Sequence, residues 1–229
     1  MDALVMAGGQ GTRLQPLTFS LPKPLMPVGN RPILEIILNQ LRRASFDRVF
    51  VSVGYKGNLV QAYLREAPVP GLEIVFVPEE TPLGTAGPLS LLPADVDALF
   101  MINGDILTEL DFGAVLRGHL AQDAAAMTVV AHNHAVTLPY GVLDLDGELV
   151  TGVDEKPTLH LPVATGMYAL DRRAIDALPA GRSDMPGLIN LLGAKSMVRA
   201  HLTEEFWTDV ADLVDYERIH VDAARWADL

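Results

Sequence analysis

With 229 residues, 49% of them hydrophobic and 20% charged, the chain has the material for a single α/β domain with a sizeable core. A formal net charge of −12 excludes a protein that coats nucleic acid or anionic membrane, since both reward a basic surface, and no apolar run reaches the ~18 residues that span a bilayer. Zero cysteines exclude disulfides and thiolate metal centres, and the chain opens straight into a strand pattern without a leader-like segment, so a cytoplasmic protein is expected.

Ala3 to Ala7 is an apolar run too short for a helix and suited to a buried strand, and it breaks at Gly8-Gly9. Gly8, Gly9 and Gly11 let the backbone turn sharply and bring amide N–H groups onto an anion, although tight turns also use glycine for purely steric reasons. Arg13 follows two residues later, and Lys23 sits between Pro22 and Pro24, whose fixed φ angles restrain it. Lysine is scarce, with four in the chain, and Lys23 and Lys156 fall in Pro-Lys-Pro and Glu-Lys-Pro triplets. Neither the dinucleotide fingerprint nor the Gly-Lys-Ser/Thr phosphate loop is present. The longer string Gly8-Gly9-Gln10-Gly11-Thr12-Arg13-Leu14-Gln15-Pro16-Leu17-Thr18, followed by Pro22-Lys23-Pro24-Leu25-Met26-Pro27-Val28 and Pro32-Ile33-Leu34-Glu35, resembles the signature of sugar-1-phosphate nucleotidylyltransferases, with mannose- and heptose-1-phosphate guanylyltransferases the nearest in motif.

Ile33 to Ala44 carries the period of an amphipathic helix, with Ile33, Ile37, Leu41 and Ala44 on one face and Leu34 and Leu38 beside them; Glu35 is read as hydrogen-bonded or solvated rather than catalytic. Arg48 to Val53 reads as a strand, Leu59 to Leu64 as a helix and Leu72 to Val77 as a third strand. This alternation implies a Rossmann-like, mainly parallel sheet flanked by helices, with ligands at the carboxyl ends of the strands.

The loop from Pro78 to Leu89 leads into a short helix carrying Leu89, Leu91 and Leu92. By itself it is a turn with a helix cap. The family resemblance makes it the nucleobase segment, with Pro82 and Thr85 beside the ligand, Gly84 close to the base plane and Glu79 at the position that reads the base edge. A carboxylate only accepts hydrogen bonds, and guanine offers paired donors at N1 and N2 where uracil and thymine offer N3–H alone, so the chemistry leans toward guanine. Ala98 to Ile102 is the next strand, ending in Asn103-Gly104-Asp105. Asp105 is well placed for a hard divalent cation, a turn aspartate being the bland alternative, and the resemblance implies that it is a magnesium ligand. Asp111 is expected to N-cap a helix from Phe112 to Gln122 with Phe112, Val115, Leu116 and Leu120 inward.

Ala125 to Ala131 is a strand, and His132 and His134 beyond it lack a third ligand, so a solvated strand end is expected rather than a metal site. Gly141 to Leu145, Leu149 to Val153 and Ala164 to Leu170 read as short antiparallel strands added at the sheet edge, forming a sugar-binding half. By resemblance, Gly141, Glu155 and Lys156 contact the sugar phosphate, together with Thr165 and Gly166. Where the family commonly reads Asn-Ala-Gly-Ile-Tyr, this chain has Ala164-Thr165-Gly166-Met167-Tyr168, so an amide for a sugar hydroxyl is missing and Thr165 is the candidate to replace it. After a connecting region with Pro179, Gly181 and Pro186, Glu205-Phe206-Trp207-Thr208-Asp209 resembles the segment that brings the second magnesium-binding aspartate, Asp209. A final helix, Leu213 to Trp226, is expected to close the domain, with no hexapeptide-repeat tail expected after it.

The expected organisation is one domain over 1–229, nucleotide binding in 1–110 and sugar-phosphate binding in 111–229. The resemblance implies an enzyme that joins a nucleoside triphosphate, GTP by the base argument, to a sugar 1-phosphate, with Mg2+ as cofactor. Arg13, Lys23 and Asp105 are the catalytic candidates, Ala7, Gly8, Gly9, Gly11, Thr12, Asn103 and Gly104 join the nucleotide-binding set, and Asp105 and Asp209 form the metal pair. A UTP- or dTTP-using enzyme, or a non-catalytic nucleotide-sugar sensor, is the alternative; a nicotinamide-dependent oxidoreductase is disfavoured by the fingerprint spacing. Homo-oligomerisation stays open.

Overall fold

The computed structural model describes residues 1–221 and 223–226. In chain order the strands are β1 (Asp2–Met6), the two-residue β2 (Pro27–Val28) and β3 (Arg31–Pro32), β4 (Arg48–Val53), β5 (Glu73–Pro78), β6 (Ala98–Asn103), β7 (Ile106–Thr108), β8 (Met127–Thr137), β9 (Gly141–Asp146), β10 (Leu149–Glu155), β11 (Thr158–Asp171), β12 (Val198–Thr203) and β13 (Trp207–Asp209). The α-helices are α1 (Ile33–Arg43), α2 (Gly57–Glu66), α3 (Phe112–Leu120), α4 (Arg172–Asp176), α5 (Met185–Gly193) and α6 (Leu213–Val221). No helix among the described residues is long and apolar enough to cross a membrane.

Seven strands form the central sheet in the order β12-β8-β11-β6-β1-β4-β5. β6, β1, β4 and β5 pair in parallel, whereas β11 runs antiparallel to both β6 and β8. Alternation along β1 explains the layering. Ala3 and Val5 face the core that holds α1, α2 and α3, and Leu4 faces the opposite core, which holds α5 residues Leu188 and Leu192. In α1, Ile33, Leu34, Ile36, Ile37, Leu38 and Leu41 are all fully buried, which fixes this helix on the sheet. Glu35 on its other side accepts a hydrogen bond from the Tyr63 hydroxyl. The chain leaves β1 toward β4 and β5, then returns to the opposite side of β1 with β6, so a topological switch point lies between β1 and β6.

Several expectations need correction. Ala164 to Leu170 is not an edge hairpin strand; it belongs to the 14-residue β11 and lies inside the sheet between β8 and β6. Three antiparallel pairs stand apart from the central sheet, β2 with β3, β7 with β13 and, among the expected hairpin strands, β9 with β10. The connecting region contains α4, α5 and the edge strand β12, whose alternation Val-Arg-Ala-His-Leu-Thr half-buries one face. Asp111 does cap α3, accepting from the Ala114 N–H at 3.0 Å, but Leu120 points outward at 53% exposure while His119 is buried and hydrogen-bonds Thr128 at 2.9 Å. The turn after the loop that follows β5 is a 3-10 helix, Gly87–Leu91, with Leu89 and Leu92 buried and Leu91 exposed. The predicted final helix is α6 followed by a 3-10 turn at Ala223–Trp226; Asp222 and residues 227–229 lie outside the described residues.

Candidate active site

The carboxyl ends of β1, β5 and β6 open into a cleft of about 400 Å³. Gly8, Gly9, Gly11, Thr12, Arg13 and Lys23 line it from the first loops, Glu79, Pro82, Gly84 and Thr85 from the loop after β5, and Asn103, Gly104 and Asp105 from the end of β6. The first loop is tied down on both sides of the switch point. The Gly104 N–H donates to the Met6 carbonyl at 2.9 Å, the Ala7 N–H to Ser52 at 2.9 Å and the Tyr55 N–H to Gly8 at 3.1 Å. Ala7 itself is fully buried, so it supports the loop from below and lends the cleft no side-chain surface. Gly11 has φ +61, and a Cβ there would lie 2.9 Å from Thr18 and 3.3 Å from Lys23, so glycine is needed for the loop to close against the lysine segment.

Lys23 forms an ion pair with Asp105 Oδ2, both partly buried. Asp105 Oδ1 is buried and has no hydrogen-bond partner among the described residues. Asp209 arrives from the far end of the chain because β13 pairs with β7 in the register Asp209↔Ile106, and the Val210 N–H donates to the Asp105 carbonyl at 3.0 Å. Burial, and then the Asp105 charge, push the Asp209 carboxyl above its ordinary value. An orphaned buried carboxylate oxygen beside a second carboxylate strained by like charge is a donor set that fits a hard divalent cation. Among the described residues no group of three or more His, Cys, Asp or Glu side chains comes together, so the protein would supply two carboxylates and leave coordination positions for phosphate and water.

Arg13 is exposed on the cleft with no ion pair among the described residues, so its five N–H donors are free for an anion. Glu79 is already partly committed: Oε1 accepts from the Ser52 hydroxyl at 2.5 Å and Oε2 from the Leu83 N–H at 3.0 Å. Each oxygen keeps a second lone-pair site. Gly84 has φ +83, and a Cβ on it would meet Asp184 Oδ1 and the Ser183 carbonyl, each at 2.5 Å. Its side-chain space is therefore filled by the 183–184 segment, a reason for glycine that is independent of any base.

The sugar-side residues are dispersed differently. Gly141, Glu155 and Lys156 sit on or next to the exposed β9–β10 hairpin and do not line this cleft, although Gly141 is close enough to Glu155 that a Cβ would lie 2.9 Å from Oε2. Thr165 is 1% exposed, its hydroxyl donates to the Val130 carbonyl at 2.9 Å, and its carbonyl accepts from the Trp207 indole N–H at 2.9 Å. Its hydroxyl is thus spent inside the sheet and does not replace the missing amide. Gly166, at φ +79 in the irregular stretch of β11, lets the Asn103 side chain lie where a Cβ would be 2.6 Å from Nδ2. The expected solvated strand end needs correction: β8 runs on to Thr137, so His132 and His134 lie within the strand, and His132 is half-buried and stacks on Trp207 with ring centroids 6.0 Å apart. Sequence reasoning missed Arg182, Asp184 and Ala211, which also line the cleft.

A family model described as nucleotidyl transferase matches residues 2–225. The chain belongs to the nucleotidyl transferase family. Mannose-1-phosphate guanylyltransferase of Mycobacterium tuberculosis is 29% identical over 238 residues, covering 98% of this chain and 65% of its own length. UTP--glucose-1-phosphate uridylyltransferase of Synechocystis sp. is 29% identical over 240 residues, covering 94% of this chain and 61% of its own length. This family member therefore spans less than two thirds of those relatives. The crystal structure of HddC from Yersinia pseudotuberculosis complexed with GMP-PN superposes with a TM-score of 0.74 at 21% identity, covering 96% of this chain and 98% of that one, which establishes the shared fold.

Proposed function

We propose that this nucleotidyl transferase family member moves a nucleotidyl group from a nucleoside triphosphate to a sugar 1-phosphate, releasing pyrophosphate, with Mg2+ as cofactor. The observation that carries the reading is the Lys23–Asp105 pair in the cleft of the glycine loop, with one Asp105 oxygen orphaned and buried and Asp209 brought within reach of both charges by the β7–β13 pairing. In-line attack of one phosphate on another requires two anions to be held together, so positioning and charge neutralisation are the main tasks. The loop N–H groups at Gly8 to Gly11 and the Arg13 guanidinium would hold the triphosphate. The Lys23 ammonium, restrained by Asp105, has further N–H donors to offer the charge that develops on the α-phosphoryl group. Lys156 would hold the attacking sugar phosphate, with Glu155 on a sugar hydroxyl and the Gly141 backbone against it. When bound, the cation held by Asp105 and Asp209 would act as Lewis acid and template for the phosphate oxygens.

GTP is our expected donor, on the free lone pairs of Glu79 and the name of the mycobacterial relative; the Synechocystis relative's name supports a uridylyl alternative. The test is pyrophosphate release with Mg2+, each common triphosphate in turn, and a panel of hexose, heptose and aminosugar 1-phosphates. Release with no combination would overturn the enzymatic reading and favour a sensor.

A further inference from the structure

The far wall of the base loop is a segment that carries no sequence motif. The Ser183 N–H donates to the Leu83 carbonyl at 2.8 Å, and the Ala86 and Gly87 N–H groups both donate to the Ser183 carbonyl, at 2.9 and 3.0 Å. The Thr85 N–H donates to Asp184 Oδ1 at 3.0 Å, and the Met185 N–H donates to Thr85 Oγ1 at 2.8 Å. With Gly84 packed directly on Asp184 and Ser183, the two segments form one rigid wall of the cleft.

Arg182 leads into this wall. Its guanidinium lies 3.7 Å from Asp184 Oδ2, beyond hydrogen-bond length, with the side chain 72% exposed. Asp184 is immobilised by Thr85, so it orients the guanidinium electrostatically without consuming its N–H groups. A fork of unspent donors therefore stands next to the base loop in the same cleft as Glu79.

We propose that Arg182 is a specificity-determining residue that donates to O6 and N7 of guanine, with Asp184 as the positioning residue that aims it. Guanine alone among the common bases matches both partners: two acceptors for an arginine fork, and two donors at N1–H and N2–H for a carboxylate such as Glu79. Adenine turns an amino group toward the fork in place of O6, and the pyrimidines have no N7. This inference rests on the nucleotidyl transfer proposed above and supplies the donor half of its base recognition.

The test uses substrate analogues, so that folding is not at issue. In the unmodified protein, kcat/KM for 7-deaza-GTP, which lacks the N7 acceptor, is expected to fall about tenfold or more below that for GTP. Arg182→Ala should bring the two substrates to near equality, Asp184→Asn should narrow the gap, and Arg182→Lys should restore it only in part because an ammonium lacks the fork. Melting curves should show little change in Arg182→Ala, given the exposure of that side chain. Equal use of GTP and 7-deaza-GTP by the unmodified protein, or undiminished discrimination in Arg182→Ala, overturns the role of Arg182 while leaving nucleotidyl transfer intact. Pyrophosphate release with UTP or dTTP alone overturns the guanine reading together with this inference, and release with no triphosphate overturns the parent reading.

Discussion

Asp209→Asn separates a metal-binding carboxylate from a structural one. Burial and the neighbouring Asp105 raise the Asp209 pKa above its ordinary 3.8. The native state then binds more protons than the unfolded chain as pH climbs past 3.8, so stability is greatest below that value and declines as pH rises through the native pKa. At neutral pH and without metal, the substitution removes this unfavourable charge, and the variant should melt higher than the unmodified protein. Mg2+ should reverse the order. A cation at ten times its dissociation constant stabilises by about 1.4 kcal/mol, roughly 3–6 °C in Tm for a chain of this size, and the variant should lose most of that increment. In turnover, loss of a metal ligand is worth several kcal/mol, so a fall of at least about a hundredfold is expected, at ~1.4 kcal/mol per decade. Differential scanning calorimetry with Mg2+ or EDTA, paired with pyrophosphate release, reads all three effects. A variant that melts lower in EDTA, or one that keeps the full Mg2+ increment, would refute the reasoning.

Four further outcomes are expected. Lys23→Ala should depress kcat with modest change in the sugar-phosphate KM, whereas Lys156→Ala should chiefly raise that KM; identical patterns in steady-state kinetics would remove the division of labour. Glu79→Gln should erode any preference for GTP over UTP and dTTP by about 1–3 kcal/mol in competition assays, and an unchanged preference would free Glu79 from base reading. Gly84→Ala should lower Tm, because its Cβ meets Asp184 and Ser183 at 2.5 Å with φ at +83; a cost of about 2 kcal/mol or more is expected, and an unchanged Tm would mean the wall can move. His119, 2% exposed, has its pKa pushed below 6.5 by burial, so its contribution is full above pH 6.5 and is lost as pH falls through the native pKa; His119→Gln should flatten the slope of denaturation midpoint against pH between 7 and 5.

The legible parts of the chain are those in which local pattern and tertiary role coincide. β1, α1, β4 and β6 are buried along whole faces, so their apolar periods in sequence report their packing directly, and the glycine loop announces itself because backbone conformation there is dictated by residue type. β11 was misplaced for a physical reason. Its first half, Thr158 to Ala164, contains Pro162 and is largely exposed, so only its buried second half reads as a strand, and a short strand beside two hairpin-like segments is assigned with them to the edge. Insertion of an antiparallel strand between two others is a property of the assembled sheet and leaves no mark on the strand's own residues.

The same distinction explains the site. Asp105 and Asp209 were legible through resemblance, but the structural basis for pairing them is the register of two three-residue strands, β7 and β13, which no periodicity test detects. Thr165 shows the opposite failure. A threonine hydroxyl in a motif looks available from the sequence, yet a buried hydroxyl must find an acceptor, and the Val130 carbonyl of the adjacent strand takes it at 2.9 Å. Under the proposed reading, a sugar hydroxyl would have to be met elsewhere, and the exposed β9–β10 hairpin, which carries Gly141 and Glu155 and leads into Lys156, is the element we propose for it. Arg182 and Asp184 make the same point on the opposite wall of the cleft: two exposed residues in a loop between helices are placed there because five hydrogen bonds clamp residues 183–185 to residues 83–87.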